Sequence, residues 1–127
     1  MTEQKFFVCR HCGNLVGMIH FSGVRIICCG EKMELLNANT FDASQEKHLP
    51  VVSVNGDKVT VRIGSTNHPM TEEHHINWVY VQTERGGLRH AFNAGDEPVW
   101  EFCIHNDKPL AAFAYCNLHG LWKTDIK

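Results

Sequence analysis

The sequence predicts a mainly β protein in two parts, a small metal-stapled domain over residues 1–36 and an antiparallel β-sandwich over 37–127. Three observations carry this. Four cysteines, at 9, 12, 28 and 29, crowd into the first 29 residues. From Pro50 onward, short runs of strand-forming residues alternate with turn residues. No long amphipathic helical pattern, internal repeat or low-complexity tract interrupts them.

The first 36 residues contain Phe6, Phe7, Val8, Leu15, Val16, Val24, Ile26 and Ile27, with turns at Gly13-Asn14 and Ser22-Gly23. A segment of this length buries little apolar area, and domains below about 40 residues usually need a metal or disulfides. The cysteines meet that need. Residues 37–47 read as a connector with a short helical turn after Asp42. Val51–Val54 and Lys58–Ile63 flank the hairpin turn Asn55-Gly56-Asp57. Val59, Val61 and Ile63 share one face, with Lys58, Thr60 and Arg62 on the other. Ile76–Thr83 is a further strand, and Gly86-Gly87 turns into Leu88–Phe92. Trp100, Phe102 and Ile104 alternate with Glu101 and Cys103, and Leu110–Tyr115 reads as the last strand. Six or seven such strands are enough for a sandwich.

Bulk properties narrow the function. The 127 residues carry a formal charge of −2, which gives no electrostatic reason to expect nucleic acid or an anionic membrane as partner. No apolar run approaches the roughly 20 residues that span a bilayer. The start, Met1-Thr2-Glu3-Gln4-Lys5, lacks a basic region followed by an apolar stretch, so cytoplasmic location is the expectation. That compartment favours metal binding over disulfides for the six cysteines.

Cys9-x-x-Cys12 lets two thiolates grip one ion from a tight turn, and Cys28 with Cys29 completes a four-sulfur set suited to zinc or iron. Neighbouring ligands should distort the tetrahedron. The bland reading is a zinc knuckle that only holds the small domain together. Cys116-x-x-His119, at the exit of the last strand, forms a second constellation with His48, His68 and His74. All sit at strand ends, where a rigid sandwich can converge them. One thiolate and four imidazoles make five ligands, so iron, which commonly takes six, would keep a reactive position open. Any one of these histidines alone reads more simply as a surface or core residue. The combination outweighs that. His75 is expected to point away, His11, His20, His90 and His105 have no assigned role, and Cys103 is expected to be a packed thiol.

Together, Cys9-Arg-His-Cys12, Ile27-Cys28-Cys29-Gly30, Glu46-Lys47-His48-Leu49-Pro50, His68-Pro69-Met70 through His74, and Tyr115-Cys116-Asn117-Leu118-His119-Gly120 resemble desulfoferrodoxin, the two-iron form of superoxide reductase, over essentially the whole chain. The resemblance implies a desulforedoxin-like domain followed by an immunoglobulin-like sandwich. It implies a distorted rubredoxin-like iron on Cys9, Cys12, Cys28 and Cys29. It also implies a catalytic iron with His48, His68, His74 and His119 equatorial and Cys116 axial. The implied reaction is reduction of superoxide to hydrogen peroxide. Lys47 would attract the anion and assist proton delivery, and Glu46 would take the sixth position of the ferric iron after turnover. Rubredoxin or a similar small carrier is the implied electron donor, and a homodimer the implied assembly. The rivals are a non-catalytic iron electron-transfer protein, a copper carrier, a zinc-binding interaction module and a superoxide dismutase. No methionine follows His119, which counts against copper.

Overall fold

A computed structural model of the chain describes residues 2–127. It divides into two compact units, one ending at Asn37 and one running from Ala38 to Lys127. In the first, β1 (Lys5–Val8) pairs antiparallel with β2 (Leu15–Met18). The hairpin β3 (Ile27–Cys28) and β4 (Glu31–Lys32) follows, and β5 (Glu34–Leu35) returns to the free edge of β1. The core is small: Phe7, Cys9 and Met33 are buried, with Val16, Met18, Phe21, Cys28 and Leu35 packed against them. Two cysteines thus belong to the core itself, which is why so short a segment depends on what its sulfurs bind. Val24, Ile26 and Ile27 lie exposed, as does Ile19.

The second unit opens with a single helical turn, α1 (Gln45–His48). Seven strands follow: β6 (Pro50–Asn55), β7 (Lys58–Ile63), β8 (Ile76–Thr83), β9 (Gly86–Ala91), β10 (Val99–Cys103), β11 (Pro109–Cys116) and β12 (Gly120–Asp125). They form two antiparallel sheets, ordered β10-β7-β6 and β12-β11-β8-β9. Between them Val59, Val61 and Ile63 of β7 meet Val79 and Val81 of β8 and Ala112, Ala114 and Cys116 of β11. The inward alternation on β7 is the one its sequence predicts. A register shift between Tyr115 and Cys116 re-aims the end of β11, the strand that delivers the buried thiol.

Two expectations need correcting. Leu110–Tyr115 is not the last strand, because β12 follows; the compact Cys116–Gly120 hairpin is read in sequence as a ligand motif and hides the turn. The alternation of Trp100 with Phe102 holds, but Trp100 is 43% exposed on an edge strand, with its ring stacked on His90 at 3.6 Å. Cys103 is an exposed thiol rather than a packed one, since it ends that same edge strand.

Candidate metal centres

Three separate segments converge on the first centre. α1 supplies His48, the β7–β8 loop supplies His68 and His74, and the turn between β11 and β12 supplies Cys116 and His119. One donor atom from each of the five lies within 4.8 Å of all the others. The imidazoles form a square. Going round it as His48, His68, His74, His119, neighbouring ring centroids are 4.6–4.9 Å apart and their planes cross at 75–89°. Across it, His48 and His74 are 6.5 Å apart. His48 Nε2 lies 3.1 Å from His68 Nε2 and 2.9 Å from His119 Nδ1. The buried Nε2 of His74 has no hydrogen-bond partner. Four nitrogens crowded around one point, one of them orphaned, are what a cation would satisfy.

The backbone sets the tautomers. His48 Nδ1–H donates to the Ser44 carbonyl and His68 Nδ1–H to the Pro69 carbonyl, each at 2.6 Å, which leaves both Nε2 lone pairs facing the centre. Burial is the main cause that pushes the His48, His68 and His74 pKa values down, His68 to about 4, so these rings are neutral near pH 7. Burial pushes the Cys116 thiol up, opposed by the backbone N–H groups of Leu118 and His119 aimed at its sulfur. A bound cation would reverse that balance and hold the thiolate.

Local contacts keep these segments in place. Gly64, at φ +84°, sits where a Cβ would come within 2.7 Å of the Glu46 carbonyl oxygen and the Lys47 carbonyl carbon. Only glycine lets α1 lie this close to the exit of β7. Thr71 closes the loop by accepting from His74 N–H and donating to the His74 carbonyl. The Asn117 side chain then joins two ligand loops: it donates to the Glu73 carbonyl and accepts from His75 N–H, both at 2.9 Å.

The second centre uses two hairpin turns. Cys9 follows β1, and Gly13 N–H donates back to the Cys9 carbonyl at 2.8 Å to form the knuckle that holds Cys12. The β3–β4 hairpin pairs Cys28 with Glu31, so Cys29 and Gly30 are its two turn residues, at φ 53° and 78°. Positive φ at both positions is the tight type I′ turn. This explains the adjacent cysteines: the last strand residue and the first turn residue aim their sulfurs at one point. The four sulfurs lie within 4.8 Å of one another, with Cys12 Sγ 3.6 Å from Cys28 Sγ. Backbone N–H groups, that of Cys12 foremost, pull the Cys9 thiol down to about 6, whereas hydrogen bonding with Cys12 and Cys9 pushes Cys29 up to about 12. Without a cation the negative charge gathers on Cys9 while Cys28 and Cys29 hold their protons. With one they ionise together.

Residues 40–125 match the family described as desulfoferrodoxin, and residues 2–36 match desulfoferrodoxin, N-terminal domain. The chain belongs to the desulfoferrodoxin family. It is 43% identical to desulfoferrodoxin from Nitratidesulfovibrio vulgaris, covering 98% of each chain. It is 42% identical to a desulfoferrodoxin homologue from Archaeoglobus fulgidus, covering 98% of this chain and 99% of that one. In structure it is similar to the superoxide reductase from Treponema pallidum, at TM-score 0.82 and 37% identity over 98% of this chain and all of the other. Both donor sets fit the two irons of a desulfoferrodoxin, four sulfurs in one and four imidazoles with a thiol in the other.

The remaining sequence candidates lie elsewhere. Glu46 and Lys47 are exposed on α1, and the Lys47 charge helps lower both His48 and His74. Glu46 lines an open cleft of about 510 Å³ with Leu49, Pro50, Val52 and Thr124, none of them a ligand. His75 points away from the square, its Nδ1–H donating to the Thr71 carbonyl. His11 pairs with Glu31 at 3.2 Å. Sequence reasoning assigned no role to Thr71, Asn117 or Trp122. Their signal is proximity to a ligand motif, which spacing alone does not convert into a contact.

Proposed function

We propose that this protein is a superoxide reductase, carrying out one-electron reduction of superoxide to hydrogen peroxide. The observation that carries the reading is the square of four imidazoles joined by one buried thiol. A structural site would be closed; five donors leave iron one position short of six. When bound there, ferrous iron supplies the electron which, with two protons, converts superoxide to hydrogen peroxide.

The protein's own residues do the rest. His48, His68, His74 and His119 hold the metal from four sides, and Cys116 brings a thiolate rooted in the core. Lys47 attracts the anionic substrate to the rim and offers a proton. Glu46, one residue earlier on α1, would supply a carboxylate to that iron between turnovers. The four cysteines hold a second iron, which relays electrons or stabilises its domain. The domains run over residues 1–36 and 37–127, one centre in each. A small carrier of rubredoxin type returns the electron. The protein works in the cytoplasm as a homodimer, a reading supported by the exposed Ile19, Val24, Ile26 and Ile27 of the first unit. No described helix is long and apolar enough to cross a membrane.

The test is the yield of hydrogen peroxide per superoxide consumed, with prereduced protein under anaerobic conditions. A yield near one, with ferrous iron oxidised in step, is expected. A yield near one half, with iron unchanged, would mean dismutation. No reaction from a fully loaded protein would return it to a non-catalytic iron electron carrier.

A further inference from the structure

We infer that Trp122 is a positioning residue of the histidine centre, clamping two of its ligands at once. The inference rests on iron binding there, as proposed above. Trp122 lies on β12 opposite Ala114 and is 1% exposed. Ala112, Ala114 and Cys116 belong to the core face of β11. Its ring stacks on His48, centroids 4.8 Å apart and planes at 26°. Its Nε1–H donates to the His119 carbonyl at 3.1 Å. His48 and His119 are 71 residues apart in sequence yet neighbours in the square, with nitrogens 2.9 Å apart.

The two contacts remove different freedoms. The hydrogen bond to Ser44 fixes which His48 nitrogen faces the metal, but the ring can still swing about that bond. A flat indole face packed against it stops the swing and excludes water from one side. The bond to the His119 carbonyl fixes the peptide from which that imidazole departs. Partners behind metal ligands are typically worth 10- to 100-fold in metal affinity. An aliphatic residue such as leucine fills only part of the space and neither stacks nor donates.

The experiment compares Trp122→Phe and Trp122→Leu with the parent protein, both centres loaded with iron. It reads the rate of iron release to a chelator, together with the sulfur-to-iron absorption of the histidine centre. The four-cysteine iron in the same chain serves as internal reference. Trp122→Phe keeps a ring against His48 and loses the N–H donor, so release from the histidine centre should quicken about 10-fold. Trp122→Leu loses both contacts, and about 100-fold is expected. The reference iron should not change, and the absorption band should move in both variants. Trp122→Phe releasing iron at the parental rate with an unmoved band overturns the inference, even if its melting temperature falls. A parent that loads iron only on its cysteines would sink the proposed function and this inference together. A parent that loads both, with the variants unchanged, overturns this inference alone.

Discussion

Acid should unfold the metal-free second unit through its buried histidines, and His68 sets the size of the effect. His68 is 3% exposed, and its pKa falls from 6.5 to about 4 on folding. Because the folded value is the lower one, the unfolded chain holds more protons between these limits. Stability is therefore full above pH 6.5 and lost as pH falls toward 4. At pH 5 an unfolded imidazole is about 97% protonated and the folded one about 10%, which costs about 2 kcal/mol for this residue alone. Below pH 4 the cost levels off at about 3 kcal/mol. Burial lowers His48 and His74 as well, so their contributions have the same sign. Against a typical total of 5–15 kcal/mol, this is a large fraction. The assay is urea denaturation of metal-free protein followed by tryptophan fluorescence. Trp78, Trp100 and Trp122 all lie in the second unit, so the signal reports that unit alone. The midpoint should fall from pH 7 to pH 5, and fall less in a His68→Asn variant. A midpoint that holds constant over that range, or an equal slope in the variant, would refute the reasoning.

Three further outcomes are expected. Cys116→Ser replaces the thiol with a hydroxyl that does not ionise usefully, so the sulfur-to-iron absorption of the histidine centre should vanish while the four-cysteine spectrum persists. Lys47→Ala removes a positive charge felt at His48 and His74. Its reaction with superoxide should slow severalfold at low salt and lose most of its salt dependence, as pulse measurements over a range of ionic strength would show. Gly64→Ala drives a Cβ into the backbone of Glu46 and Lys47 at positive φ. It should cost about 2–4 kcal/mol by denaturation and loosen iron at His48, which the displaced α1 carries.

Both ligand sets were legible in the sequence because their chemistry is local. A pair of cysteines two residues apart, or a cysteine and a histidine at a strand exit, can serve one ion whatever the rest of the chain does. The core face of β7 was legible for a similar reason, since Val59, Val61 and Ile63 alternate with polar residues on a strand between two partners. The same argument misplaced Cys103 and left the exposure of Trp100 open, because alternation says which residues share a face but not whether anything covers it. On the edge strand β10 the face at Trp100 is open, and a histidine from the other sheet supplies its contact.

By itself, the sequence determined the donor residues, the β architecture and the family. These follow from residue type and spacing over a few positions. Only the tertiary structure decided the order of the imidazoles round the square and the use of Nδ1 at His119 but Nε2 at His48 and His68. It alone decided that Asn117 braces the His74 loop and that Trp122 touches two ligands. Those facts depend on strand register and on backbone groups brought together across 40 to 70 positions of chain. A one-residue slip of β12 against β11 would turn Trp122 to the opposite face of its sheet with every residue type unchanged.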